Sequence, residues 1–127
     1  GQATNQRGIH ARFESELFDR FRPRLTIAPS PMTPIASPRD FIFDTLIEGT
    51  RLTPPILAAD LKALGSRDVY DDAYFEAFLA GAQPVLERRL SEAISATAAM
   101  LTGAWEEAGK PAAPATPPPQ PPQRKRR

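Results

Sequence analysis

The sequence contains no cysteine and only one histidine, His10, among its 127 residues. Without cysteine the chain can form neither a disulfide framework nor a thiolate metal site. Its apolar runs are far shorter than the roughly 20 residues that a membrane-spanning helix needs. No long stretch alternates apolar and polar residues with the period of two that is typical of a half-buried strand. These absences exclude a disulfide-stapled scaffold and predict an all-α fold.

The chain also lacks a large excess of either charge, because its 16 Lys and Arg residues nearly balance its 15 Asp and Glu residues. The last four residues, 124–127, are all basic, and without them the net charge changes from +1 to −3. The body of the chain is therefore not a basic nucleic-acid platform. Seven of the 15 prolines lie at or after Pro111. We expect a folded helical part over residues 1–110 and a disordered, proline-rich basic tail over residues 111–127.

Apolar residues recur every four positions near the start, which predicts an amphipathic helix from Ile9 to Arg22. Proline cannot donate the backbone hydrogen bond of a further turn, so Pro23 ends this helix. The apolar stripe consists of Ile9, Phe13, Leu17 and Phe21. The stretch "APSPMTPIASP" follows with four prolines in eleven residues, which is typical of an extended surface loop.

Two helices with similar beginnings are predicted after the loop. Ser37 caps the first, which ends near Gly49, and Thr53 caps the second, which ends at Gly65. The residues predicted to face inward are Phe41, Ile42, Thr45 and Leu46 in the first helix, and Ile56, Leu57, Leu61 and Leu64 in the second.

From Asp71 onward an alanine-rich stretch predicts two helical pieces, or one long helix kinked at Pro84. Its apolar stripe consists of Leu86, Leu90, Ile94, Thr97, Leu101 and Trp105. Together these stretches predict a helical bundle.

His10 and Glu14 are the candidate metal ligands. They are four residues apart, so a helix places both side chains on one face within reach of a single ion. Imidazole nitrogen and carboxylate oxygen both ligate zinc at about 2 Å. The ordinary interpretation is an exposed i,i+4 contact. Because three or four protein ligands are typical of a zinc site, the others would have to be carboxylates of this chain or residues outside it.

The opening segment "GQATNQRGIHARFESELFDRF" resembles a helix of the zinc-dependent phospholipase C and single-strand-specific nuclease superfamily. In that superfamily a histidine and an acidic residue four positions later are ligands of a trinuclear zinc centre, and His10 and Glu14 match them. The nuclease branch usually has tryptophan and aspartate where this chain has Phe13 and Glu14, so the resemblance favours the bacterial phospholipase-like branch. A second stretch, "YFEAFLAGAQPVLERRLSEAISATAAMLTGAWEEAGKP", is similar to the closing helix of that branch.

The resemblance implies that this chain is the C-terminal part of a larger, mainly helical zinc phosphodiesterase. An absent N-terminal part would then supply the other ligands, and the chain alone would be inactive. The implied reaction is hydrolysis of a phosphodiester, in a phospholipid or a single-stranded nucleic acid, by metal-activated water. His10 and Glu14 would act as zinc ligands and not as the general base. The resemblance also implies a secreted or periplasmic enzyme.

Other features have simpler interpretations. Trp105, Tyr70, Tyr74, Phe75 and Phe78 would suit an acyl-chain or base-stacking pocket, but aromatics at helical spacing are more often core residues. Similarly, Arg88 and Arg89 would suit phosphate binding but more often form a solvated helix face.

The alternative function is a non-catalytic helical interaction module with a partner-binding tail. The closing "RKRR" would suit weak contact with an anionic surface, and "PPQPPQR" weakly matches proline-rich ligands.

Overall fold

A computed structural model describes residues 4–112 of the chain. Within this range the chain forms α1 (Ile9–Ala11), α2 (Leu17–Phe21), α3 (Pro38–Leu64) and α4 (Asp72–Glu107), and it contains no strand. The predicted all-α class is confirmed. None of these helices is long and apolar enough to cross a membrane. Nearly all of the predicted tail, residues 113–127, lies outside the described residues.

A π-helical turn, Arg12–Glu16, joins α1 to α2, so that residues 9–21 form one continuous helical segment, here called the N-terminal helix. Its predicted stripe is confirmed, with Ile9, Leu17 and Phe21 buried and Phe13 half-buried. On a straight α-helix each step of four residues advances about 40° beyond a full turn. The wider π turn absorbs part of this drift and keeps residues spaced by four on one face.

Helix α3 runs without interruption through Pro54 and Pro55, and the predicted division into two helices between Gly49 and Thr53 is wrong. Each proline leaves the carbonyl four residues earlier without its helical donor. These carbonyls belong to Thr50 and Arg51, both exposed residues. Water can bond these carbonyls, so the prolines do not end the helix. The predicted stop at Gly65 is confirmed, with φ +53°.

The first half of α3 does not bury the predicted face. Ile42 and Leu46 are 48% and 60% exposed, whereas Phe41 and Thr45 are half-buried. In the second half three of the four predicted residues, Ile56, Leu57 and Leu64, are half-buried and pack against the core, whereas Leu61 is exposed. The fully buried residues of this half are Ala59, Asp60 and Ala63. Helical periodicity therefore identified a face correctly only where a neighbouring helix is close enough to cover it.

Helix α4 is a single helix of 36 residues that contains Pro84, in agreement with the second of the two predicted alternatives. The Asp71 side chain caps its start by accepting a hydrogen bond from the Tyr74 backbone N–H at 2.8 Å. Its first half supplies most of the core: Tyr74, Phe75, Phe78, Leu79, Ala82 and Leu86.

Beyond Leu90 the predicted stripe of α4 is wrong, since Ile94, Leu101 and Trp105 are 46–68% exposed. The buried positions there are Ser95 and Ala99. They lie under the proline-rich segment, residues 25–36.

This segment runs extended along α4. The backbone N–H groups of Thr26, Ala28 and Ser30 donate to side-chain oxygens of Glu87, Ser91 and Ser95 at 2.8, 3.0 and 2.9 Å. Two extended residues rise by about 6.2–6.6 Å and four helical residues by about 6.0 Å, so the two repeats stay in register. Proline removes backbone donors, and α4 accepts hydrogen bonds from these three of the remaining N–H groups and from that of Ile35, which donates to the Ala99 carbonyl oxygen at 3.3 Å.

Gly103 of α4 makes a close approach to this segment. A Cβ atom there would lie 2.5 Å from the Ile35 carbonyl oxygen, whereas a Cβ atom at Gly49 of α3 would meet nothing within 4 Å. We expect Gly103→Ala to lower the free energy of unfolding, because overpacking costs about 1–3 kcal/mol and the helix gains at most about 1 kcal/mol. Gly49→Ala is the control and should raise it by about 0.5–1 kcal/mol. Urea unfolding monitored by circular dichroism measures both, and equal stabilisation by the two changes would contradict the close approach.

Candidate functional site

The candidate metal ligands lie side by side on the outer face of the N-terminal helix. His10 Nε2 is 3.2 Å from Glu14 Oε2. The two side chains are 84% and 56% exposed, so they are open to solvent and to any molecule that approaches this face. His10 belongs to α1 and Glu14 to the π turn.

The described residues provide no third ligand for this pair. Over residues 4–112, no group of three or more His, Cys, Asp or Glu side chains is placed so that it could hold a metal ion. His10 and Glu14 therefore form a two-donor site as far as the described part of the chain is concerned.

The opposite face of the same helix carries a buried ionic cluster, formed by Gln6, Arg12, Asp60 and Tyr74. The Arg12 guanidinium donates to Asp60 Oδ1 and to the Tyr74 hydroxyl, both at 2.9 Å. Tyr74 in turn donates to the same Asp60 oxygen, and Gln6 Nε2 donates to Asp60 Oδ2 at 2.6 Å. The Arg12 and Asp60 side chains are 5% and 1% exposed.

The cluster joins segments that are distant in the sequence. Besides its two side-chain partners, Arg12 donates to the Arg7 carbonyl oxygen at 2.7 Å, and its guanidinium carbon lies 3.9 Å from the centre of the Tyr70 ring. Gln6 also donates to the Leu57 carbonyl oxygen at 2.9 Å. The turn before α1, the middle of α3 and the start of α4 therefore meet at one carboxylate.

Electrostatics within the cluster favour an ionised Asp60. Burial opposes ionisation, but hydrogen bonds from Tyr74, Gln6 and Arg12, together with the charge of Arg12, outweigh it and hold the pKa of Asp60 below its ordinary value. Burial and the bond to Asp60 raise the pKa of Tyr74, so this hydroxyl remains a donor. The pKa of Arg12 is also raised: burial opposes this shift, and the contacts with Asp60 and Tyr74 outweigh it.

The sequence reasoning missed this cluster, although a signal was present. Arg12 follows Ile9 by three positions, and Asp60 follows Leu57 by three, so each charge lies on a predicted apolar face. Opposite charges on two inward-facing stripes indicate a buried pair, because an unpaired buried charge is too costly.

The paired arginines and the aromatic residues, which the sequence also offered as binding residues, have other roles in the structure. Arg88 bonds Glu92 and Glu48, and Arg89 bonds Glu92 at 2.8 Å, so both arginines already have carboxylate partners. Of the aromatic residues, Tyr74, Phe75 and Phe78 are core residues, whereas Tyr70 and Trp105 are 44% and 46% exposed.

Glu14 also borders an open groove of about 500 Å³ between the N-terminal helix, α3 and α4. Arg89 contributes a second charge to its wall, and the remaining lining is mainly apolar: Phe13, Leu52, Ile56, Val85, Leu86 and Leu90.

The buried pair Arg12–Asp60 and the exposed pair Arg20–Asp72 both connect the N-terminal helix to the rest of the chain. We expect Asp60→Asn to lower the free energy of unfolding by about 3–5 kcal/mol, because it leaves Arg12 buried without a counter-charge. Asp72→Asn is the matched control and should cost at most about 1 kcal/mol, since Asp72 is 94% exposed. Urea unfolding of both variants measures this, and similar losses would show that burial does not matter.

The lowered pKa of Asp60 makes stability depend on acid. Asp60 is harder to protonate in the folded chain than in the unfolded chain, so its ionised form stabilises the fold. This stabilisation is complete above the ordinary pKa of 3.8 and is lost as the pH falls through the lower pKa of Asp60 in the folded state. Tyr74→Phe removes a hydrogen bond to Asp60 and raises its pKa, so less stability should be lost between about pH 7 and pH 2.5. Tyr70→Phe is the control, since its hydroxyl is not among the donors to Asp60. Urea unfolding at both pH values tests this, and an undiminished acid loss in Tyr74→Phe would contradict it.

Comparison with known proteins leaves the family of this chain open. No family model, no curated protein and no solved structure matches it. Any assignment of function therefore rests on its own residues and their geometry.

Proposed function

We propose that this chain contributes His10 and Glu14 to the zinc centre of a phosphodiesterase that resembles the zinc-dependent phospholipase C and single-strand-specific nuclease superfamily. Further ligands would come from polypeptide outside this chain. The observation that supports the proposal is the pairing of an imidazole and a carboxylate, 3.2 Å apart and exposed, at the positions of the resemblance.

The donor pair fits zinc in both chemistry and spacing. With bonds of about 2.0–2.1 Å and a tetrahedral angle, two ligands of one zinc ion lie roughly 3.3 Å apart. The observed 3.2 Å between His10 Nε2 and Glu14 Oε2 is close to this value. The separation of the two donor atoms is therefore compatible with one shared ion as well as with a direct contact, and the exposure of the pair leaves the other coordination positions accessible.

The residues of this chain would hold and orient the metal. Zinc takes only the neutral imidazole, so His10 must be unprotonated while Glu14 stays ionised. When bound, clustered zinc ions lower the pKa of a water molecule and neutralise charge on phosphoryl oxygens. Arg88 and Arg89 are poor candidates for phosphate binding, because Glu48 and Glu92 would have to release them first.

The substrate proposed with this centre is a phosphodiester of a phospholipid or of a single-stranded nucleic acid. In line with the resemblance, we also propose that the enzyme acts outside the cytoplasm, secreted or in the periplasm. Both proposals depend on the metal centre.

A second candidate function, a helical interaction module, is favoured by an exposed apolar patch on α3. Ile42, Phe43, Leu46 and Ile47 are 48–60% exposed and adjacent at helical spacing. Contiguous exposed apolar surface is typical of interaction sites. The basic tail that belonged to this alternative lies outside the described residues.

The zinc proposal predicts the metal content of the full-length protein. His10→Ala combined with Glu14→Ala should remove at least one zinc ion per chain. Changing a residue that only contacts a metal ligand lowers activity by about 10–100-fold, and we expect this double variant to lower phosphodiesterase activity by more than that. The control combines Glu106→Ala with Lys110→Ala, another exposed i,i+4 pair, and should change neither quantity. Elemental analysis after dialysis and hydrolysis of a chromogenic phosphodiester measure both.

A direct readout of the pair is available in this chain by itself, because His10 is the only histidine among its 127 residues. Its imidazole NMR signals should shift when zinc chloride is added, and Glu14→Gln should weaken that response. A metal-free intact protein, or an unchanged zinc content in the double variant, would overturn the proposal and favour the interaction module.

A further inference from the structure

We propose that Arg12 is a positioning residue that sets the rotation of the N-terminal helix and thereby the direction in which His10 and Glu14 face. This inference rests on the proposed function for its purpose. The structural relation itself, between the buried cluster and the helix face, can be tested without zinc.

The apolar stripe determines which face of this helix is buried but sets the exact angle of rotation poorly. Contacts of Ile9, Phe13, Leu17 and Phe21 with the core are hydrophobic, and the hydrophobic effect is not directional. A rotation of about 30° would leave the stripe against the core. On a helix of about 11 Å diameter, this rotation moves a side-chain tip by roughly 3 Å, which is comparable with the distance between two ligands of one metal ion.

The Arg12 guanidinium supplies the missing directional contacts. It donates to Arg7 in the turn before α1, to Asp60 on α3 and to Tyr74 on α4, at 2.7–2.9 Å. A planar guanidinium bonded to three separate segments satisfies them all in one orientation only. Gln6 adds a second bond to Asp60 from the same turn, which holds the start of the helix.

The position of Arg12 connects this anchor to the metal pair. His10 and Glu14 each lie two residues from Arg12, about 200° around the helix, so they face away from the buried side. Their exposures of 84% and 56% against 5% for Arg12 agree with this arrangement. Because His10 and Glu14 belong to the same helix as Arg12, any rotation of this helix would also turn the metal pair, and the cluster prevents such a rotation.

Stability alone is a weak reason for burying this ion pair. Desolvation offsets much of the attraction between two buried charges, and well-packed apolar replacements are often as stable or more so. The best-attested use of buried polar pairs is to select one packing arrangement among several. At Arg12 the arrangement selected is the orientation of the helix.

The test measures helix orientation by pulsed electron paramagnetic resonance. Glu14→His places two imidazoles at i,i+4, which bind a copper(II)–nitrilotriacetate probe. Because the chain has no cysteine, Thr97→Cys on the exposed side of α4 carries a single nitroxide label. The distance between copper and nitroxide reports the rotation of the N-terminal helix relative to α4.

In this background the buried-pair variant combines Arg12→Met, Asp60→Leu and Tyr74→Phe, and the control variant combines Arg20→Met with Asp72→Leu, which replaces the exposed pair. Tyr74→Phe is included because its hydroxyl would otherwise stay buried without a partner. We expect one narrow distance distribution in the parent and the exposed-pair control. The buried-pair variant should show a broadened or displaced distribution while its urea midpoint stays unchanged or rises. If the buried cluster only stabilised the fold, the copper–nitroxide distances would not broaden in a variant whose urea midpoint is undiminished.

Unchanged distances in the buried-pair variant, or equal broadening in the control, would overturn the inference. If the buried-pair variant does not fold, Arg12→Lys replaces it, since lysine keeps the charge but loses the fork and should broaden the distribution as well. Copper binding does not depend on natural zinc. If the distance distribution broadens but the full-length protein holds no zinc, Arg12 still positions the helix. In that case only the proposed catalytic purpose of this positioning is removed.

Discussion

The carboxylate of Asp60 is the point on which the arrangement of this chain depends. Three side chains donate to it from the N-terminal segment and α4, and all of these groups are nearly inaccessible to solvent. A buried charge of this kind is stable only while its partners stay in place, since each lost donor leaves a desolvated group unpaired. The cluster therefore couples the N-terminal helix, α3 and α4 more specifically than the surrounding apolar contacts do.

The other end of the molecule is held together by different contacts. There an extended proline-rich segment covers Ser95 and Ala99 of the long helix α4. Side-chain oxygens spaced by four on α4 accept the N–H groups spaced by two on the segment.

The candidate metal pair combines exposure with a rigid support. His10 and Glu14 project from a helix whose inner side is bound by both hydrophobic and ionic contacts. Rigid elements hold ligands more accurately than loops do. The proposed metal site would use this combination, whereas an ordinary i,i+4 contact at these positions would contribute about 0.5 kcal/mol or less.

The sequence by itself determined the helical class, the N-terminal stripe, the stop at Gly65 and the pairing of His10 with Glu14, because each follows from local spacing or backbone preference. It did not determine that α3 continues through Pro54, since that depends on whether the freed carbonyls meet water or protein. Only the tertiary structure decided which helix faces are covered, because Ile42 and Leu101 have helical periodicity and yet are 48% and 68% exposed. It also decided that Arg12 and Asp60 meet, 48 residues apart in sequence, because long-range pairing arises from packing and not from local propensity.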